Sequence, residues 1–208
     1  MKKTLVAMTA LLMLGLTVRA QETIQLPQPE VQKLSMTLGD ALKQRRSYRD
    51  MTTKDVDLQT VSTILWAACG ISDPATGKIT APSAVNMQDI KVFVCTQKGV
   101  CRYMPKDNTL VPVTTTDIRP FLVSGQAFAG KAPVNLLLVS TKDNERMDNN
   151  RYGGVDGGYV SQNIYLACTA LGLHTVARAM MDKDAVKREL KLADTSIVLL
   201  NHPIGYGN

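Results

Sequence analysis

Apolar positions recur with two different periods along this chain, and the periods divide it into helices and strands. Leu58, Val61, Ile64, Leu65 and Ala68 fall on one stripe at three- and four-residue spacing. Asp57 stands before them as an N-cap and Gly70 after them as a stop, so the segment predicts an amphipathic helix. A shorter helical pattern covers residues 37–44. Residues 90–96 alternate and are β-branched, which predicts a strand, with 100–103 as its hairpin partner and 110–113 as a third strand. Residues 72–81 read as a loop, 116–124 as a short helix and 134–140 as an apolar strand. The polar stretch 143–156 contains Gly153 and Gly154 and reads as a loop. A long helix over 157–172 follows, with Val160, Ile164, Ala167, Cys168 and Leu171 on one side. Strands at 175–179 and 196–201 bracket a helix at 184–190. Helices and strands mix without regular βαβ alternation, which argues for an α+β layered fold rather than a doubly wound sheet.

The amino terminus has its own pattern. Lys2 and Lys3 precede an apolar run from Leu5 to Val18, and Val18-Arg19-Ala20 places small residues before Gln21. This is the pattern of a secretory signal peptide, and the run is too short for a membrane span. The expected organisation is a signal peptide at 1–20, an extended proline-bearing arm at 21–33, and one domain at 34–208. The expected location is the periplasm or the outside of the cell, with no membrane span after signal removal.

Charge narrows the partners. The whole chain has a net charge of +6, and removal of Lys2, Lys3 and Arg19 with the leader reduces that excess by three. No basic stripe with interleaved aromatics is present, so nucleic acid is not an expected partner. The four cysteines, Cys69, Cys95, Cys101 and Cys168, form no Cys-x-x-Cys pair, and the only histidines are His174 and His202. No metal site is therefore expected. Cys95 and Cys101 flank a turn, and two outcomes are open for them: a disulfide across the hairpin, or two independent small residues in a sheet. Cys69 and Cys168 fall on apolar helix faces. Residues 153–158 are glycine-rich but do not fit Gly-x-Gly-x-x-Gly, so no Rossmann fingerprint is found.

The strongest candidate chemistry lies at Arg45-Arg46-Ser47-Tyr48-Arg49, directly after the helix at 37–44. Guanidinium forks match phosphate oxygens two bonds at a time and keep their charge at any working pH. The plain alternative is that cations at a helix C-terminus only complement the macrodipole. Two further segments bear on the choice. One is Ala81-Pro82-Ser83-Ala84-Val85-Asn86-Met87-Gln88. The other runs from Gly158 through Ser161-Gln162-Asn163 to Ala170-Leu171-Gly172-Leu173.

In this order the three segments resemble the nitroreductase-like family of FMN flavoproteins, over roughly residues 34–206. Leu65-Trp66-Ala67-Ala68-Cys69-Gly70 and Cys101-Arg102-Tyr103 look like its thiazoline and oxazoline dehydrogenase branch. The resemblance implies a central, mostly antiparallel sheet flanked by helices, and a homodimer with FMN at the subunit interface. It implies Arg45, Arg46, Ser47 and Arg49 as contacts for the phosphate, ribityl chain or ring edge. It implies Ser83, Asn86 and Gln88 as a loop reaching FMN from the other subunit. The alternative for that loop is a short helix capped by Ser83 with surface amides.

Two departures from the family pattern stand out. Residues 176–180, Val176-Ala177-Arg178-Ala179-Met180, lack the family's glutamate and glycine, and the chain ends soon after Ile204-Gly205-Tyr206. Arg178 then has two readings, a cation at the flavin's pyrimidine edge or an edge-strand arginine. His174 also has two, a neighbour of the flavin or the start of a strand. No catalytic residue stands out, which fits chemistry carried by the cofactor. The expected activity is that of an exported FMN-dependent oxidoreductase. It would pass hydride or electrons to or from a small nitroaromatic, quinone-like or azoline-like substrate, with NAD(P)H as a candidate donor. The alternative is a non-enzymatic flavin-binding or structural protein that keeps the fold.

Overall fold

The computed structural model describes residues 22–143 and 148–208. The expected signal peptide lies outside the described residues.

The arm is docked onto the domain. Strand β1 (Ile24–Gln25) pairs antiparallel with β6 (Thr109–Thr114), placing Ile24 opposite Leu110. Leu26 is buried, and the Pro27 and Gln28 carbonyls accept from Ser62 Oγ and Gln59 Nε2. Helix α1 (Leu38–Gln44) is capped by Thr37, and α2 (Leu58–Cys69) by Asp57, whose carboxylate accepts from the Thr60 N–H. The expected loop at 72–81 contains a small hairpin, β2 (Ile71–Asp73) with β3 (Lys78–Ile79).

Strands β4 (Ile90–Thr96), β5 (Gly99–Met104), β6, β7 (Val134–Ser140), β8 (His174–Thr175) and β9 (Ile197–Gly205) form the main sheet with β1. Among the described residues its order is β1-β6-β5-β4-β7-β9-β8, and every pair is antiparallel. One face carries Val92, Val94, Leu136 and Leu138 against Ile64 and Leu65 of α2 and Val160, Ile164 and Cys168 of α4 (Asn149–Ala170). The other carries Phe93, Cys95, Leu137 and Val139 against Leu122 of α3 (Arg119–Val123) and Val186 of α5 (Lys183–Glu189). Covering both faces explains why β7 is buried along its whole length. The fold is the expected α+β arrangement of an antiparallel sheet flanked by helices.

The bounds of other elements change, and the choice left open for the hairpin cysteines is decided. Helix α4 starts at Asn149, so it takes in most of the expected loop at 143–156, with Asp148 as its N-cap. Gly153, one of the two glycines that suggested a loop, and Gly157 let the helix lie directly on the sheet. A Cβ on Gly153 would sit 2.6 Å from Ser140 Oγ, and one on Gly157 would sit 2.7 Å from Leu199 Cδ1. Strand β9 runs to Gly205 because β7 pairs with it as far as Ile204, while the expected strand at 175–179 shortens to β8 and an isolated bridge from Arg178 to Asn201. The cysteines of the hairpin are free. Cys95 lies opposite Val100 and Cys101 opposite Val94, so the two thiols occupy opposite faces of the sheet. Burial pushes the Cys69 thiol up to about 12, which leaves it an unreactive core residue.

Candidate functional site

The segment 45–52 leaves the end of α1 and is stitched along the edge of the sheet. Its backbone bonds run from Tyr48 N–H to the Thr175 carbonyl at 3.0 Å and from Thr52 N–H to the Tyr206 carbonyl at 2.8 Å. Met51 bridges to Gly207 and is buried. The Tyr48 ring stacks on His174, and His174 Nδ1 lies 2.8 Å from Asp50 Oδ1. His174 therefore braces the arginine segment from behind, at the start of β8.

Tyr165 on α4 is the prop beneath this segment. Its hydroxyl lies 2.8 Å from Ser47 Oγ and accepts from the Ala177 N–H at 2.8 Å. The Arg45 guanidinium sits 5.0 Å over its ring, a cation–π contact. Below it, His202 is buried edge-on to Tyr165, with Nε2 2.8 Å from Ser161 Oγ and Nδ1 3.3 Å from Thr175 Oγ1. Burial pushes the His202 pKa down to about 3, so the ring is neutral at physiological pH.

The guanidiniums divide their roles. Arg46 Nη1 turns back onto the Lys43 and Arg45 carbonyls, at 2.7 and 2.9 Å, and so caps α1. Arg49 donates to the Ser47 carbonyl at 3.1 Å. Among the described residues no carboxylate forms an ion pair with Arg45, Arg46 or Arg49, and the nearby Asp50 is taken by His174. Three guanidiniums and one hydroxyl on a braced loop without acidic partners suit an anionic group such as a phosphate. The residues present therefore fit the phosphate end of FMN.

The second predicted segment is tied to the other end of α4. Asp156 accepts the Ala84 N–H on both carboxylate oxygens, at 3.1 and 2.9 Å. Residues 84–86 form one 3-10 turn, and Ser83 Oγ accepts from the Gln88 N–H rather than capping that turn. Gln88 Nε2 donates to the Gly77 carbonyl at 2.9 Å and to Asn86 Oδ1 at 3.3 Å. Val85, Asn86 and Gln88 all have positive φ, a strained arrangement for residues with side chains. Asp156 and Tyr165 are nine residues apart on one helix, roughly 13 Å along its axis. Within one chain the arginine segment and the amide loop are thus held at separate points of α4.

Arg178 is not brought to either group. Its guanidinium lies on the opposite face of the sheet and closes the end of α3. Nη1 donates to the Leu122 carbonyl and to Asn201 Oδ1, Nη2 to the Val123 carbonyl, and Nε to Gln126 Oε1, all between 2.5 and 2.9 Å. The expected place at a flavin edge gives way because the exposed carbonyls of a helix end claim these donors.

Tyr165, Asp156 and His202 escaped the sequence reading, although a signal existed. Asp156 stands one turn before Val160 and Ile164 on the stripe that faces the core, and an acid there must find a partner. Ser161 and Tyr165 share one helical face at i and i+4.

Comparison with known proteins bears on the family and the fold. The model described as Nitroreductase family matches residues 42–206. A nitroreductase-family protein of Methanocaldococcus jannaschii is 28% identical over 200 residues, covering 88% of this chain and 97% of that protein. A crystal structure of a nitroreductase-family protein from Ralstonia eutropha JMP134 superposes with TM-score 0.83 at 28% identity, over 90% of each chain. A chain of the Escherichia coli microcin synthetase McbBCD complex, solved with truncated pro-MccB17, has TM-score 0.70 at 20% identity, over 83% of this chain and 74% of that one. At that identity the likeness is one of fold.

Proposed function

The chain belongs to the nitroreductase family, and from that premise we propose that it is an exported FMN-dependent oxidoreductase acting on a small organic substrate as a homodimer. One observation carries the reading: Arg45, Ser47 and Arg49 share a loop braced by Tyr165 and His174 and free of acidic partners among the described residues. Bound there, FMN supplies hydride and electron transfer between a donor and an acceptor. The chain's own residues bind and orient. Arg45 and Arg49 neutralise the phosphate, and Arg46 joins them while holding the α1 end. Ser47 donates to a phosphate or ribityl oxygen. Tyr165 keeps Ser47 in place, and Asn86 and Gln88 offer amides to the ring edge.

Surface chemistry supports the dimer. Leu38 and Leu42 on α1 are 67% and 52% exposed, and Val155 and Tyr159 on α4 are 52% and 46% exposed. An apolar groove of about 270 Å³ lies where α1, α2 and α4 meet, lined by Leu34, Met36, Leu38, Trp66, Leu166 and Ala170 among others. Surfaces of this kind mark association sites. A second copy seated there would cover them and bring its amide loop to the arginine segment.

The substrate candidates are nitroaromatic, quinone-like or azoline-like compounds, and NAD(P)H is a candidate donor. Export favours another donor, since nicotinamide pools are cytoplasmic. The test is the absorbance spectrum of the purified protein before and after NADH, NADPH or dithionite. A flavin spectrum bleached by a donor and restored by an acceptor is the expected result. Flavin that binds but never turns over supports the non-enzymatic alternative, and absence of FMN binding overturns the reading. For export, the expected mature terminus is Gln21 in a periplasmic or secreted fraction. Met1 on a cytoplasmic protein overturns that part.

A further inference from the structure

We propose that Asp89 and Asp156 share one proton that clamps the 83–88 loop, so that the loop is held while the proton is present and released when it leaves. The role of this loop at a flavin rests on the function proposed above, whereas the clamp itself does not.

The argument begins with an oxygen that lacks a donor. Asp89 stands between Gln88 and β4 and is 1% exposed. Its Oδ2 accepts the Ser140 hydroxyl at 2.5 Å, while its buried Oδ1 has no hydrogen-bond partner. Its backbone carbonyl is fixed by the Thr141 N–H and hydroxyl. Asp156, 2% exposed, interacts with Asp89 from α4 and has both oxygens on the Ala84 N–H. A buried carboxylate oxygen without a donor, beside a second carboxylate, is satisfied by a proton held between them.

The neighbouring cation on β4 is engaged elsewhere. Lys91 on β4 places its ammonium on Asp143 at 2.6 Å and on the Gln88 carbonyl at 3.1 Å. From β7 the Ser140 hydroxyl reaches Asp89, and from β9 the Leu199 side chain lies against Gly157. Burial, and then the hydrogen bond and negative charge of Asp156, push the Asp89 pKa up to about 6, with Ser140 opposing them.

Loss of the proton to solvent turns Asp89 into a carboxylate facing a carboxylate. Helix α4 and strand β4 are anchored in the core, and the loop between their contacts is the part that can give. It is tied to Asp156 at Ala84 and joined by the chain to Asp89. Its positive φ values at Val85, Asn86 and Gln88 relax on release.

The test is amide hydrogen exchange over residues 84–88 of the full chain from pH 5 to 8, corrected for intrinsic exchange and done with and without added FMN. Protection should fall at least about tenfold across pH 6 in the parent. It should stay level in Asp89→Asn, whose amide replaces the acid proton toward Asp156. A level parent profile, or an equal fall in Asp89→Asn, overturns the proposal. Should Asp89→Asn fail to fold, Ser140→Ala is the second variant. It removes the donor that favours the anion and should move the step to higher pH, so an unmoved step overturns the clamp. If the exchange step appears but FMN affinity does not follow it, the clamp stands and the loop's place at the flavin falls.

Discussion

Tyr48 stacks face to face on His174, with ring centroids 3.8 Å apart and planes 7° from parallel. The imidazole also meets Gly207, where an added Cβ would clash with Cε1. The ring therefore contacts both the arginine segment and Gly207. An aromatic pair contributes about 0.5–1.5 kcal/mol beyond its burial. Tyr48→Ala should weaken FMN binding by roughly tenfold, because the loop must then be ordered by the ligand. Tyr48→Phe should keep the parent affinity. Flavin fluorescence titration of both variants checks this.

The two arginine environments make opposite predictions. Arg49→Ala should cost about 10- to 100-fold in FMN affinity, the worth of a charge-assisted phosphate contact of roughly 1.5–3 kcal/mol. Arg178→Ala should instead destabilise the fold by about 3 kcal/mol, since it leaves the Leu122 and Val123 carbonyls, Gln126 and Asn201 without their donor. In a domain of this size that is a drop of roughly 6–12 °C in Tm. Flavin titration and thermal melts of both variants separate the roles. Parent-like FMN binding by Arg49→Ala would discard the phosphate assignment.

Helix α4 tolerates its inward glycines only as glycines. Gly153→Ala drives a methyl into Ser140, at 2.6 Å from Oγ, and should cost about 1–3 kcal/mol by overpacking. Gly154→Ala points into open space, with nothing within 4 Å in this chain, and should raise monomer stability slightly through helix propensity. Chemical denaturation of the two variants tests the contrast.

Two buried titratable groups give stability slopes of opposite sign. His202 has a folded pKa of about 3, below its unfolded value, so the unfolded chain binds more protons between about pH 3 and 6.5, and stability rises with pH there. Asp89 has a folded pKa of about 6, above its unfolded value, so the folded chain binds more protons between about pH 4 and 6, and stability falls with pH there. The two contributions oppose each other in the parent. Asp89→Asn should leave a rise from pH 4 to 6.5, and His202→Gln a fall from pH 4 to 6. Equal slopes in the two variants by urea titration would refute the assignments.

All four cysteines should titrate as thiols in denatured, unreduced protein. Cys95 and Cys101 lie on opposite faces of the sheet, so no exposure to oxidant should join them without unfolding. Mass spectrometry after alkylation counts the thiols.

Much of this protein was written in local pattern. Asp57 and Gly70 bound α2 as their capping chemistry requires, and the alternation at 90–96 marked β4, because each depends only on near neighbours in the chain. The Arg45–Arg49 cluster was legible for the same reason: its charge density is a property of five consecutive residues. What tertiary structure decided was the direction and partnership of each group. Gly153 looked like part of a loop until the sheet beneath it required close approach. Arg178 looked like a ligand contact until the open carbonyls of α3, more than fifty residues earlier, claimed its donors. Whether Cys95 and Cys101 pair stayed open until the strand register set them on opposite faces. Tyr165, Asp156 and His202 became visible as braces only when the helix carrying two of them was laid on the sheet. Their neighbours in space are distant in sequence, and periodicity cannot report such contacts.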